Sequence, residues 1–451
     1  MAEHSEIVGY HLEQAFHLRA ELGAAGDAEL ELARRAGHHL AAAGQRAFQR
    51  GDMPATANLL RRAARLSPVD GEAGLAALPE LGYALFEIGE VDEASAVLAD
   101  GEARARAAGD RQLEWRIAVT AARVEMYRDP EGIDLESLAA QTETAIEVLG
   151  EFCDGAGLAR AWMVLSDLHW SNGRLRGTSE AAVRAAEHAR GTGNRREVGW
   201  ALGQIALCAI HGPTSVEEGL RRLERMLAEE PENRTLDANL SGFVTVLEAM
   251  NGDFARARRH IEQSRTVARD LGLMWQAAVQ ELLSGYVELL AGDPVAAEHD
   301  MRSAGELFRE IGEGWFLSTV VIDLPRAVYE QGRYEDAFSL LEAVEESPAP
   351  TDREWQIKRR GIPARLLARR GRFEEAEKLA REGVALAAGC EFLVLHADVL
   401  LDLAEVLELA GRKEEAAATA AEAVSLCELK GNVASARSAR RTLGGLAAEG
   451  R

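Results

Sequence analysis

The amino-acid sequence predicts an all-α protein, a right-handed α-solenoid of about ten helical hairpins that repeat every 40 residues or so. Three observations support this fold class. A short motif containing glycine returns at nearly constant intervals. Long stretches rich in Ala, Leu, Glu and Arg separate its copies, and a second series of glycines lies between them. Because one hairpin cannot bury its apolar face by itself, the hairpins must stack on one another.

The motif consists of Gly, then Asp or Arg, then three variable residues, then Ala. Five consecutive copies, beginning with GDFARA at Gly252, are separated by 40, 40, 39 and 40 residues. Weaker copies and looser turns precede them. The sequence therefore predicts hairpin turns near residues 51, 89, 130, 173, 212, 252, 292, 332, 371 and 411.

The stretches between turns have apolar residues at three- and four-residue spacing and no alternating β-branched runs, so they are predicted to be helical. The turn glycine is expected to end the first helix of each hairpin in a left-handed conformation. The motif's alanine and a small residue seven positions before the glycine, such as Gly82 or Gly285, are expected to let the two helices cross closely. The second glycine series, from Gly109 to Gly431, marks the ends of the second helices.

The whole chain, residues 1–451, is predicted to be a single superhelical domain. Its first element is an amphipathic helix over residues 5–22, which we expect to pack on the hairpin around Gly51, since an isolated helix of this length is marginal in water. A capping helix is predicted over residues 433–448. The opening helix would be the N-terminal cap of an independent protein or an internal element of a longer one.

Composition argues against several classes of protein. The chain has 51 basic and 74 acidic residues and a formal net charge of −23, which disfavours nucleic acid and anionic membranes as partners. The four cysteines are far apart and form no CxxC pair, which indicates buried thiols in a reducing compartment, so we expect a cytoplasmic protein. No stretch approaches the roughly eighteen apolar residues that a transmembrane helix needs.

The segment LGYALFEIGEVDEA, residues 81–94, resembles the tetratricopeptide repeat (TPR), which has Leu-Gly, Gly and Ala at this spacing. Three further segments, YHLEQAFHLRAELG, GDMPATANLLRRAARL and LKGNVASARSARRTL, look like the C-terminal half of actinobacterial AAA/STAND-type ATPase regulators, both adenylate-cyclase-like and LuxR-type. The resemblance implies a TPR-like array in signal transduction or transcriptional regulation, with an ATPase or cyclase module in cis or in trans. It transfers no catalytic residue, because the chain has no GxxxxGK(S/T) loop.

Motifs for catalysis and for cofactor binding are absent from the sequence, including GxSxG, HExxH and GxGxxG. The only histidine pair, His38 and His39, is adjacent on a predicted helix, where the two side chains point about 100° apart and cannot readily share one metal ion. We therefore expect no enzyme activity, no cofactor and no metal site.

Candidate binding residues lie on the first helices of the hairpins, which face the concave side of such an array. Aromatic rings with scattered charges suit the recognition of a protein or peptide. Counting back from each turn places ten residues in this groove: Tyr83, Phe86, Tyr127, Asp167, Trp170, Tyr286, Arg326, Tyr329, Lys358 and Arg365. A register error of one position near residues 130 and 173 would instead place Tyr127 and Trp170 in the core.

Trp275, Trp315 and Trp355 recur at 40-residue steps and so occupy equivalent repeat positions. We interpret them as large side chains that pack between adjacent hairpins. A repeated ladder of binding residues is the alternative.

These observations predict a non-catalytic TPR scaffold or sensor module that mediates protein–protein interaction in bacterial signalling or transcriptional regulation. Two alternatives remain open. The chain could be the C-terminal arm of an ATP-binding adenylate-cyclase-like or LuxR-type regulator that acts in cis. It could also be a solenoid that senses a small molecule in a closed pocket.

Overall fold

The computed structural model describes residues 5–22, 26–66, 72–128, 132–229, 234–270, 274–311, 314–346 and 352–449. These residues form helices joined by short connections, with no strand among them, so the all-α helical-repeat class is confirmed. The helices, α1 to α23 in chain order, are Ser5–Leu22, Asp27–Arg50, Met53–Leu66, Glu72–Ala76, Leu78–Glu87, Val91–Ala108, Arg111–Arg128, Leu135–Glu151, Gly155–Ser171, Leu175–Thr192, Arg195–His211, Val216–Glu229, Arg234–Met250, Phe254–Asp270, Met274–Ala291, Pro294–Glu310, Trp315–Glu330, Tyr334–Glu346, Arg353–Arg369, Phe373–Ala388, Leu393–Leu409, Lys413–Lys430 and Val433–Glu449.

The chain divides into two compact units. Unit 1 comprises Met1–Leu165 and Arg184–Trp200, and unit 2 comprises Ser166–Val183 and Ala201–Arg451. In both units consecutive helices pack side by side as hairpins, for example α2 with α3 in unit 1 and α15 with α16 in unit 2. Within the described ranges, no helix is long and apolar enough to cross a membrane. The assignment of residues 1–451 to one domain stays a prediction.

The turn at Gly51 shows the physical reason for the Gly-Asp form of the repeat motif. Gly51 follows α2 with a φ of 80°, a left-handed conformation that glycine adopts without strain. Its N–H donates to the carbonyl of Phe48, and the N–H of Asp52 donates to the carbonyl of Ala47, which closes the end of the helix. The Asp52 carboxylate then accepts the N–H of Ala55 at 3.0 Å and caps α3. Gly therefore ends one helix, and Asp begins the next.

The Gly-Arg form of the motif begins its second helix differently. The arginine has no side-chain acceptor, so it cannot cap the helix, and an acidic residue three positions later pairs with it instead. The pairs are Arg333–Asp336, Arg372–Glu375 and Arg412–Glu415. An acidic group in the first turn also interacts favourably with the helix dipole. The predicted turn near residue 130 falls on residues 129–131, which lie outside the described residues.

Small residues in the first helices leave room for a side chain of the second helix. A Cβ atom added to Gly82 would lie 2.5 Å from Leu98 Cδ2, and one added to Gly285 would lie 2.7 Å from Met301 Cγ. Both partners stand nine residues after the turn glycine. The motif's alanine, Ala94 in the first of these hairpins, is fully buried as well. The small residue therefore accommodates the side chain at the ninth position, not only the alanine that the sequence suggested.

Replacing Gly82 by alanine is expected to lower the free energy of unfolding by about 1–3 kcal/mol, because the new methyl group would overlap the fully buried Leu98. The matched control is Gly150→Ala in α8, where an added Cβ meets no atom within 4 Å. That change should leave stability unchanged or raise it slightly. Hydrogen exchange of α5 and α6 would measure the difference, and equal exchange in both variants would contradict this packing.

The repeated tryptophans contact the neighbouring hairpin. The ring of Trp275 lies edge-on to Phe316, with centroids 5.4 Å apart. Trp355 is buried and packs with Ile322 of the preceding hairpin. These contacts agree with a packing role. The side chain of Trp315 lies outside the described part of the chain.

The opening helix α1 packs on the first hairpin of unit 1. Leu12 and Phe16 contact the buried cluster formed by α2 and α3. Glu13 is 7% exposed and forms an ion pair with Arg62 of α3. This burial provides the partner that an isolated amphipathic helix lacks.

Within unit 2, the last hairpins lie against the first. Lys430, at the end of α22, is 1% exposed, and its ammonium group donates to the carbonyls of Ala209, Gly212 and Thr214 at 2.6, 2.8 and 2.6 Å. The N–H of Glu391 donates to the carbonyl of Gly173 at 2.8 Å. These hydrogen bonds join segments more than 200 residues apart, so unit 2 closes on itself.

Candidate functional site

A cleft in unit 1 lies across the first helices of four successive hairpins, α5, α7, α9 and α11. Its empty volume, open solvent included, is about 400 Å³. Two of the ten residues named from the sequence, Tyr83 and Phe86, line it. The repeat brings equivalent faces of these helices together, so residues about 40 positions apart become neighbours.

Arg160 of α9 is the central charge beneath this cleft. It is 4% exposed, and it donates to Glu80 at 3.2 Å and to Glu197 at 3.0 Å. Its guanidinium also lies 5.4 Å from the centre of the Tyr83 ring, a distance typical of a cation–π interaction. Three hairpins therefore meet at one buried ionic group.

Two buried polar atoms of residues that line the cleft have no hydrogen-bond partner among the residues that the structure describes. They are the hydroxyl of Tyr83, whose residue is 3% exposed, and the Oε2 atom of Glu197, whose residue is 5% exposed. Burial raises the pKa of the Tyr83 hydroxyl above its usual value. Burial also raises the pKa of Glu197, and it outweighs the opposite effect of Arg160. Buried polar atoms in native proteins nearly always have a partner.

The walls of the cleft are mainly apolar and aromatic. Arg123 lies between two rings, 6.0 Å from the centroid of Tyr83 and 5.3 Å from that of Trp200. Phe86 is half-buried on α5, while Val119 and Met163 are buried below it. An apolar pocket with a few polar atoms is the usual environment for a bound ligand.

In unit 2, Tyr286 and Lys358 share one acidic partner. The Tyr286 hydroxyl donates to Asp323 Oδ2 at 2.5 Å, and Lys358 Nζ lies 2.9 Å from the same oxygen. Lys358 also pairs with Glu354 at 2.8 Å, and its ammonium is 5.9 Å from the centre of the Tyr286 ring. Burial lowers the pKa of Lys358, but Asp323 and Glu354 outweigh it and raise the pKa well above its usual value.

A second ionic cluster in unit 2 contains Arg326, Tyr329 and Arg365. Asp402 accepts from Arg326 at 2.7 Å and from Arg365 at 3.3 Å. The Tyr329 hydroxyl donates to Glu405 at 2.5 Å, and the Arg365 guanidinium lies 4.0 Å from the centre of the Tyr329 ring. The candidate residues of this cluster are therefore engaged with one another and with carboxylates.

The remaining candidates lie elsewhere. Asp167 accepts a hydrogen bond from Gln204 at 2.9 Å. Trp170 is buried, with its ring 5.2 Å from Phe392 and 5.9 Å from His211, which is the placement that the alternative register describes. The side chain of Tyr127 lies outside the described residues. Apart from Tyr127, the candidate residues thus lie in the unit 1 cleft, in the two ionic clusters of unit 2, and around Asp167 and Trp170.

Five charged residues of these sites are not predicted from the sequence, namely Glu80, Arg160 and Glu197 in unit 1 and Asp323 and Asp402 in unit 2. A signal for some of them was present. An acidic residue stands nine positions before the turn glycine in three hairpins, at Glu80, Asp323 and Asp402. Several candidates stand one helical turn later, six positions before the glycine, namely Tyr83, Asp167, Tyr286, Arg326 and Arg365. Taken together across the repeats, these two positions indicate that one face of the first helices carries charged and polar side chains.

Comparison with known proteins shows the fold. No family model matches the chain, and no curated protein matches it. The crystal structure of a Rap protein complexed with Competence and Sporulation Factor is similar, with a TM-score of 0.58 and 16% sequence identity over 80% of this chain and 98% of that chain. Aspartyl phosphate phosphatase F from Bacillus subtilis reaches a TM-score of 0.47 at 13% identity, over 72% of this chain and 95% of that chain. The likeness to the Rap protein shows a TPR-like helical-repeat fold.

Proposed function

We propose that this chain is a non-catalytic TPR-like scaffold or sensor module that binds a protein or peptide along the first helices of its repeats. The observation that supports the proposal is the unit 1 cleft, which crosses four first helices and combines aromatic walls with a few charged side chains. Peptide-binding surfaces have this composition, in which aromatic side chains supply contact area and a few polar atoms supply orientation.

The net charge of −23 favours a neutral or basic partner over nucleic acid or an anionic membrane. We place the protein in the cytoplasm, in signal transduction or transcriptional regulation. An ATPase or cyclase module in cis or in trans is part of the same proposal. The support for this context is the resemblance of the opening, the first hairpin and the last helix to AAA/STAND-type regulators.

The test is selection of peptides from a phage-displayed library of random dodecamers, panned against the full chain. Selected peptides would be synthesised, and their affinity measured by fluorescence anisotropy. We expect Trp200→Ala to weaken binding about tenfold or more, because an aromatic anchor in a binding cleft carries a large share of the affinity.

The matched control is Phe152→Ala, which removes an aromatic ring that is 44% exposed and does not line the cleft. Its affinity for the selected peptides should equal that of the wild type. Failure to enrich any peptide, or equal losses in the two variants, would contradict peptide binding at this cleft. Hydrogen exchange of α5 and α7, which lie wholly in unit 1, would confirm that both variants retain the fold of that unit.

A second candidate function is the sensing of a small molecule. The lining of the cleft supports it, since ligand pockets are lined mainly by apolar and aromatic side chains with a small number of polar groups. A small ligand would raise the melting temperature in a concentration-dependent way without any peptide being present.

A further inference from the structure

We infer that α1 of unit 1 pairs in antiparallel orientation with α1 of a second copy of this chain. One face of α1 is buried on α2 and α3, and its opposite face carries exposed apolar side chains. The pairing goes beyond the proposed function and does not depend on it, because it uses neither the unit 1 cleft nor a peptide.

The outer face of α1 is unusually apolar for a solvent-exposed surface. Within the described residues eleven large apolar side chains are exposed, and four of them lie on this one helix. Ile7 is 58% exposed, Tyr10 49% and Leu18 61%, and Val8 is the fourth. Single exposed apolar residues are normal, but a cluster on one face marks an interaction site. We therefore expect a partner to cover this face.

The spacing of the exposed residues is that of a coiled-coil seam. Four exposed residues follow one another at intervals of four, three and four positions: Ile7, His11, Gln14 and Leu18. Their side chains therefore lie along one line of the helix. In heptad terms they occupy positions d, a, d and a, which are the positions that face a partner helix. The face is thus built to pack against another helix.

This seam is complementary to itself when two copies run antiparallel. Each d position of one helix then faces an a position of the other, so Ile7 faces Leu18 and His11 faces Gln14. Both layers occur twice about a two-fold axis, which is the commonest symmetry of homodimers. A parallel pair would instead place His11 against His11 and align two helix dipoles side by side.

The two polar residues of the seam favour a second copy over an unrelated apolar helix. A histidine and a glutamine can hydrogen-bond to each other, whereas an apolar side chain opposite either of them would leave its polar atoms unpaired. Polar residues at core positions of a coiled coil specify its register at a cost in stability. His11 and Gln14 are therefore expected to fix the antiparallel register.

A single helix pair is expected to give a weak dimer. Pairing also covers the flanking Val8 and Tyr10, but one face of an 18-residue helix offers fewer residues than the roughly 20–30 that each side of a standard interface contributes. The formal charge of −23 on each copy opposes association. Because α2 and α3 already hold α1 in place, pairing adds no folding cost. We expect a micromolar dissociation constant that falls as salt screens the charge.

Sedimentation equilibrium of the full chain over a range of concentrations tests the pairing. We expect the average mass to rise from that of one chain toward that of two. Leu18→Glu should weaken association about tenfold or more, since it places a carboxylate against Ile7 in two layers at once. Leu18→Ala keeps a good helix former and should weaken association about threefold or more. The matched control is Leu429→Glu in unit 2, where the leucine is 66% exposed, and its association should equal that of the wild type.

A mixture of two variants tests the antiparallel register. Ile7→Lys and Leu18→Glu should each associate poorly alone, because each places a charge against an apolar side chain in two layers. In a mixed antiparallel pair the two introduced charges face each other in one layer, and Leu18 still faces Ile7 in the other. Association of the mixture should therefore exceed that of either variant by about threefold or more, whereas a parallel pair gives no such recovery.

Three results would overturn the inference. The first is the mass of a single chain at every concentration. The second is an equal loss of association in Leu18→Glu and Leu429→Glu, and the third is a mixture that associates no better than its two components. Hydrogen exchange of α1 under dilute conditions checks that the helix stays packed in each variant. The peptide selection tests the proposed function separately, so either result can fail alone.

Discussion

Replacing Arg160 by methionine is expected to lower the free energy of unfolding of unit 1 by about 3–5 kcal/mol. The guanidinium is the charge partner of two buried carboxylates, Glu80 and Glu197, whose side chains are 7% and 6% exposed. Methionine fills much of the same volume, so the main change is the loss of positive charge. Both carboxylates would then have to be protonated or remain as uncompensated buried charges.

Hydrogen exchange of α5 and α7, which lie wholly in unit 1, is the suitable measurement, because it follows that unit separately in a chain with two compact units. Arg106→Met is the matched control. Arg106 also pairs with two glutamates, but its side chain is 63% exposed, and exposed pairs contribute little. Equal exchange in the two variants would contradict a structural role for Arg160.

A triple variant separates charge from packing. Adding Glu80→Gln and Glu197→Gln to Arg160→Met removes all three charges together, and much of the lost stability should return. If the triple variant is less stable than Arg160→Met, the effect comes from packing or hydrogen bonds and not from unpaired charge.

Replacing Asp402 by alanine is expected to lower the free energy of unfolding of unit 2 by about 3–5 kcal/mol. Asp402 is 1% exposed and accepts from both Arg326 and Arg365, so its loss leaves two arginines with fewer acceptors in a buried site. A Cβ added to Gly361 would collide with the Asp402 carboxylate, which shows how tightly α19 packs on α21 here. Truncation at this point therefore also opens a cavity.

The matched control for Asp402→Ala is Asp336→Ala in α18. Asp336 also pairs with an arginine, Arg333, but its side chain is 58% exposed. Hydrogen exchange of α17, α19 and α21 should rise strongly in the first variant and stay at the wild-type level in the second. An unchanged exchange pattern for Asp402→Ala would show that Glu330 and Glu405 alone hold Arg365 in place.

The repeat could be predicted because its signals are local. Gly51 ends one helix and Asp52 begins the next, both through hydrogen bonds that span only a few residues. The local sequence pattern is therefore enough to predict the turn. The amphipathic pattern of residues 5–22 likewise required an apolar partner, and the structure provides it in α2 and α3. The side chain of Leu98 fills the space next to Gly82, whereas the sequence predicts a close approach of Gly82 to the motif's alanine.

The binding face could be predicted only in part. Tyr83 and Phe86 line the unit 1 cleft, but Arg160 and Glu197, which shape its floor, lie on later hairpins, and no motif links them to Glu80. The sequence predicts Lys358 and Arg365 as groove residues, and the structure shows both engaged with carboxylates of unit 2. Pairings of this kind depend on the rotation between successive hairpins, which the turn motif does not encode.

The sequence by itself determined that the chain is a stack of helical hairpins, because turn formation and apolar periodicity depend on residues that lie close together within one hairpin. Only the tertiary structure decided which hairpins meet. Lys430 reaches the carbonyls of Ala209, Gly212 and Thr214, more than 200 residues away, through backbone atoms that have no sequence signature. Small rotations at each hairpin add up along the array, and their sum determines these contacts.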